Sequence, residues 1–119
     1  MEDPLYREII LEHWQNPQNY GTIKSPDFKI EGSNPTCGDK ITITVKIGAG
    51  KISDIKFTSE GCAISKASAS LLTEKVKGMK LKDVRKLTEI SALKALPIEI
   101  TPARHNCALL MFRTIKEKL

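Results

Sequence analysis

The spacing of apolar and polar residues changes twice along the chain. Leu5, Ile9 and then His13 or Trp14 recur at helical spacing behind Asp3 as an N-cap and Pro4 as a first-turn residue. This predicts an amphipathic helix over residues 3–15, stopped by Asn16-Pro17. From Phe28 the period drops to two: Phe28 to Glu31, then Ile41, Ile43, Val45 and Ile47 alternating with Thr42, Thr44 and Lys46, then Ile52 to Thr58. Gly48-Ala49-Gly50 joins the last two runs as a hairpin. Clean alternation implies a sheet with one buried and one exposed face. After Cys62 the helical period returns with Ile64, Ala67, Leu71 and Lys75 or Val76 on one stripe, closed by Gly78 as a C-terminal cap. Leu81, Val84 and Leu87 suggest a short helix, Ile90 to Leu96 a weak one and Pro97 to Pro102 a loop. A last helix from Asn106 to Lys118 carries Ala108, Phe112, Ile115 and Leu119 in one seam. The order predicts an α+β domain: a small antiparallel three-stranded sheet with helices packed on one face, an N-terminal helix and a long C-terminal helix.

At 119 residues, without internal repeats, the chain suits a single domain over 1–119. Met1-Glu2-Asp3-Pro4 puts acid where a secretory signal carries base, and no apolar run reaches the roughly 18 residues that cross a bilayer. A cytoplasmic protein with no membrane association is expected. The net charge of +5 gathers partly in Lys75, Lys77, Lys80, Lys82, Arg85 and Lys86, which could be a solvated helix face or a docking patch for an acidic protein surface. Nucleic acid is not expected as a partner, because aromatics are only 5% of the chain and none interrupts that run.

Three cysteines are an odd number, which argues against a disulfide framework and leaves core thiols, reactive thiols or metal ligands. Cys37 lies in the turn-rich Asn34-Pro35-Thr36-Cys37-Gly38-Asp39, a loop able to aim Cys37 and Asp39 at one point. Cys62 follows Gly61 between a strand and a helix, and Cys107 follows Asn106, a candidate N-cap of the last helix. Thiols at helix N-termini gain thiolate character, the form that binds metal or attacks sulfur. Singly, each cysteine could be an inert small hydrophobe and Asp39 a turn residue bonded to its own backbone. His13 reads as a helix-face histidine without a ligand role, and His105 as a fourth ligand or a surface or capping residue. None of the three thiols, however, falls in the middle of an expected strand or helix. The intervals from Cys37 to Cys62 and from Cys62 to Cys107 are 25 and 45 residues, so no local zinc knuckle exists and tertiary folding must assemble any shared site. Three thiolates leave a fourth position to an oxygen or nitrogen ligand, a less committed partner for iron than sulfur.

The stretches Asn34-Pro35-Thr36-Cys37-Gly38-Asp39, Gly61-Cys62-Ala63-Ile64-Ser65 and Arg104-His105-Asn106-Cys107-Ala108-Leu109-Leu110 resemble the three cysteine motifs of the IscU, SufU and NifU N-terminal family of iron–sulfur cluster scaffolds. Tyr6 to Gly21, with Asn16-Pro17 and Asn19-Tyr20-Gly21, is similar to that family's first helix and loop. The resemblance is nearest to the IscU type. It implies assembly of a [2Fe–2S] cluster from iron and desulfurase-derived sulfur on Cys37, Cys62 and Cys107, with Asp39 as the carboxylate that ligates or labilises and His105 held in reserve. It also implies Cys107 as the persulfide acceptor. Implied partners are a cysteine desulfurase, an electron donor such as a ferredoxin, and acceptor apo-proteins; a homodimer is compatible with it, and zinc could occupy the cluster-free form. Such a protein is an assembly scaffold rather than an enzyme. Two departures define the alternative. Asn106 stands where IscU-type chains carry His, and Ile100-Thr101-Pro102-Ala103-Arg104 replaces the Leu-Pro-Pro-Val-Lys segment read by a specialised Hsp70 chaperone. Arg104 resembles the SufU branch, zinc-bound sulfurtransferases that accept persulfide, whereas the 45-residue interval before Cys107 resembles IscU.

Overall fold

Strict alternation at Ile41, Ile43 and Val45 makes a central strand whose apolar side chains all leave one face. In the computed structural model, which describes residues 4–34, 38–94 and 105–119, this strand, β2 (Asp39–Gly48), lies between β1 (Phe28–Asn34) and β3 (Lys51–Glu60) in an antiparallel sheet of order β1-β2-β3. The register pairs Ile30 with Ile43 and Ile43 with Phe57, so one face collects Ile30, Ile41, Ile43, Val45, Ile55 and Phe57, all buried. The hairpin turns on Ala49 and Gly50, whose φ values of 54° and 76° give the left-handed pair that suits the twist of two antiparallel strands.

The helices are α1 (Pro4–Gln15), α2 (Ala63–Val76), α3 (Leu81–Arg85), α4 (Glu89–Lys94), α5 (His105–Ala108) and α6 (Leu110–Lys118). On the apolar face of the sheet, α2 packs against β3 and α6 against β1, while α1 packs on α2. The single stripe expected for α2 understates its burial. Ile64, Ser65, Ala67, Ser68, Ala69, Ser70, Leu72, Thr73 and Val76 are all buried, because small residues let partners approach from several sides. His13 Nδ1 and Ser70 Oγ lie 2.7 Å apart across the α1–α2 contact.

Three local expectations change. The α2 cap is Lys77 rather than Gly78: the Lys77 N–H donates to Thr73 O, while Gly78, at φ +89°, donates its N–H to Ile52 O and so stitches the helix exit to β3. The last helix is distorted at Leu109 (φ −99°, ψ 0°), although the Leu109 and Arg113 N–H groups still donate to His105 O and Leu109 O. Around that point Ala108, Leu109, Leu110, Met111 and Phe112 are consecutively buried, more than one helical seam can cover. Finally, the polar sheet face is partly covered. The chain after α1 runs parallel to the β3 edge at Tyr20 and crosses to Thr44, whose Oγ1 accepts from the Ile23 N–H at 3.0 Å. Thr44 is therefore buried although it points away from the apolar face.

Within the expected basic patch, Lys77 Nζ lies 3.3 Å from Asp54 and Arg85 donates to the main-chain oxygen of Leu119. No described helix is long and apolar enough to cross a membrane. The Pro97–Pro102 loop, Arg104 and Cys37 lie outside the described residues.

Candidate metal centre

The site forms where the start of β2, the start of α2 and α5 meet. Asp39 opens β2 and is 1% exposed. Its side chain does not bond its own backbone. Oδ1 accepts from the Cys62 N–H at 2.9 Å and Oδ2 accepts from the Ser65 hydroxyl at 2.8 Å. The carboxylate thus takes an amide and a hydroxyl at the first turn of α2, where unpaired N–H groups and the helix dipole favour negative charge.

Gly61 makes that approach possible. At φ +135° it adopts a backbone that L side chains rarely take, and a Cβ placed there would sit 2.0 Å from Asp39 Oδ1. Cys62 is the N-cap of α2 with an extended backbone, and its exposed thiol lies 3.6 Å from Ser65 Oγ. Cys107 is half-buried inside α5. Asn106 is not the cap expected of it. It lies within the helix, and its Oδ1 accepts from Arg113 Nη1 at 2.8 Å. Arg113 Nε also donates to Glu89 at 2.8 Å, so one guanidinium joins α4, α5 and α6 beside Cys107. The hydrogen bond from Arg113, aided by its charge, holds the Glu89 carboxyl below its ordinary pKa.

Among the described residues, one carboxylate oxygen of Asp39 and the sulfurs of Cys62 and Cys107 all lie within 4.8 Å of one another. Two thiol sulfurs and a carboxylate oxygen suit zinc or iron, and a separation near that of ligands around one ion needs little rearrangement to close. His105 begins α5, half-buried, two residues before Cys107, and its ring is not in this group. A broad groove of about 960 Å³ bounded by Gly32, Lys40, Glu60 and Thr114 is lined by none of the three donors. Sequence reasoning gave Ser65 and the spatial constraint at Gly61 no role. The signal for both was present in Gly61-Cys62-Ala63-Ile64-Ser65, where a glycine precedes a cap and a hydroxyl falls three residues after it.

The model of the NifU-like N-terminal domain matches residues 5–119. The chain belongs to this family. Among its relatives, the zinc-dependent sulfurtransferase SufU of Bacillus subtilis (strain 168) is 33% identical over 97% of this chain and 89% of that protein. The iron–sulfur cluster assembly scaffold protein IscU 1 of Archaeoglobus fulgidus is 38% identical over 77% of this chain, an alignment spanning 60% of the archaeal protein. A crystal structure from Fervidobacterium islandicum AW-1, described as an iron–sulfur cluster assembly scaffold protein for the SUF system, superposes with a TM-score of 0.75, 26% identity and 95% coverage of each chain. The NifU-like resemblance carried by the cysteine motifs therefore holds for family and fold alike.

Proposed function

We propose that this protein is a scaffold on which a [2Fe–2S] cluster is assembled and from which it passes to acceptor proteins, with Cys37, Cys62, Cys107 and Asp39 as the ligand set. The observation that carries the reading is the convergence of the Asp39, Cys62 and Cys107 donors within 4.8 Å on three different elements. Cys37, two residues before Asp39 in the chain, supplies the remaining thiolate. An oxygen ligand among three sulfurs leaves the cargo less firmly held than four thiolates would, which suits release. The exposure of Cys62 gives a partner access to the ligand set.

Sulfur enters at Cys107. Its thiolate attacks the outer sulfur of a desulfurase persulfide; the new S–S bond forms on Cys107 as the desulfurase thiolate leaves. Two electrons from a ferredoxin-like donor then reduce that outer sulfur to sulfide and return Cys107 to its thiolate. Iron and sulfide are the substrates of the assembly.

A second reading, a zinc-bound sulfurtransferase, is favoured by the SufU relationship, which extends over 97% of this chain. The same donors would hold zinc, and Cys107 would leave the metal to accept persulfide. One experiment separates the two. The anaerobically purified protein is assayed for iron, zinc and acid-labile sulfide, then incubated with a desulfurase, cysteine, ferrous iron and reductant. Visible absorption of a sulfide-bridged cluster that moves to an apo-ferredoxin is expected for the scaffold. Stoichiometric zinc with desulfurase stimulation and no cluster would replace that reading with the sulfurtransferase. Retention of both behaviours in the Cys37→Ala, Cys62→Ala and Cys107→Ala proteins would remove both.

A further inference from the structure

Ser65 is buried at 4% exposure beside a carboxylate that is itself 1% exposed, in a helix turn where alanine would fit as well. Its hydroxyl donates to Asp39 Oδ2 at 2.8 Å, and Ser65 Oγ itself lies 3.6 Å from Cys62 Sγ. We propose that Ser65 is a positioning residue for the metal or cluster, holding the Asp39 carboxylate in the orientation that faces Cys62 and Cys107. The inference depends on Asp39 belonging to the donor set, as proposed above.

A carboxylate held at one oxygen can pivot about that bond; held at both oxygens, it cannot. The Cys62 N–H fixes Oδ1 at 2.9 Å and the Ser65 hydroxyl fixes Oδ2, and both donors belong to the first turn of one helix. Each carboxylate oxygen has a second lone pair, so an ion can be ligated while both hydrogen bonds persist. The thiol of Cys62 starts that same turn. Asp39 and Cys62 therefore share a common frame within the donor group, whose three atoms lie within 4.8 Å of one another. Gly61 leaves room for this frame, since a Cβ there would lie 2.0 Å from Asp39 Oδ1. Residues that bond a ligating carboxylate from behind typically change metal affinity by about 10–100-fold when removed.

The test uses the full reduced chain, with zinc affinity measured by chelator competition and ligand identity read from the absorption of the cobalt-substituted protein. Ser65→Ala should bind zinc about 10-fold more weakly. Its cobalt d–d bands should shift toward those of Asp39→Ala, while thiolate-to-cobalt charge transfer keeps its intensity per bound ion, showing that the cysteines remain assembled. In an Asp39→Ala background, Ser65→Ala should cause no further loss, because the two side chains act as one unit. Wild-type zinc affinity and wild-type cobalt bands in Ser65→Ala would overturn the proposal. So would an equal further loss in the Asp39→Ala background, the signature of a structural role independent of the carboxylate. Absence of any thiolate-to-cobalt band in the unsubstituted protein would instead overturn the ligand set, and the role of Ser65 with it.

Discussion

Two residues in and around α2 show how a single atom decides local energetics. Ser68 is 2% exposed, and its hydroxyl has no hydrogen-bond partner among the described residues. A buried polar group left unpaired costs roughly 1–3 kcal/mol. Ser68→Ala should therefore raise stability by about 1 kcal/mol, visible as a higher denaturant midpoint at unchanged m-value. Gly61 is the opposite case. A methyl group there meets Asp39 Oδ1 at 2.0 Å on a backbone with φ +135°, so both strain and displacement follow. Gly61→Ala should lose about 1–3 kcal/mol of stability and weaken zinc binding at the same time. Chelator competition and urea melts on the same protein would check the pair of effects. Stability loss with unchanged zinc affinity would contradict the account of how Asp39 reaches Cys62.

At the scale of elements, α6 sits on β1 so closely that a Cβ at Gly32 would lie 1.9 Å from Thr114 Oγ1. Gly32→Ala should cost about 1–3 kcal/mol as α6 is pushed outward. Combining it with Thr114→Ala should recover part of that loss in a thermal melt. Packing of this kind explains what could be read in the sequence and what could not. The strands were legible because Ile41, Ile43 and Val45 alternate with polar residues and nothing interrupts the period. The breadth of burial around α2 was not, since Ala67, Ser68, Ala69 and Ser70 have no hydrophobic contrast and their environment depends on which elements come to lie against them. The distortion at Leu109 falls among consecutively buried residues, with no Gly or Pro nearby to announce it. At the site, positions at element ends pointed to Cys62 and Cys107, whereas Ser65 looked like any polar residue in a first helical turn. Only the fold brings Asp39 to it, 26 residues away in sequence.

The Arg113 contact is also a property of elements, since it joins α4 to α5 and α6. Because the folded-state pKa of Glu89 is lowered, its stabilisation is fully present above the ordinary carboxylate range and is lost as pH falls through the lowered value. The stability difference between the wild-type and Glu89→Gln proteins should therefore shrink as pH drops below about 4. Both side chains are solvated, so the contribution at neutral pH should stay under about 1 kcal/mol. Urea melts across the acid range would measure it.

For the molecule as a whole, the donors come from the beginning of β2, the N-cap of α2 and α5, so an ion held there cross-links parts of the chain far apart in sequence. Zinc at 100 times its dissociation constant should add about 2.7 kcal/mol, provided it binds the folded state alone. At this chain length that is a rise on the order of 10 °C in Tm, reversed by chelation. Cys62→Ala should lose most of the increment while keeping a cooperative metal-free transition. A full zinc-induced rise in that variant would show the ion to bind elsewhere.

The Gly21 N–H donates to Phe57 O at 2.8 Å and the Phe57 N–H to Asn19 O at 3.0 Å, so the outer rim of β3 already has company from its own chain. An unoccupied rim is a template on which a foreign strand can grow. Trimming the chain through Gly21 would uncover those amides together with the face of α2 that α1 covers, and the product should sediment as larger species even with its thiols intact.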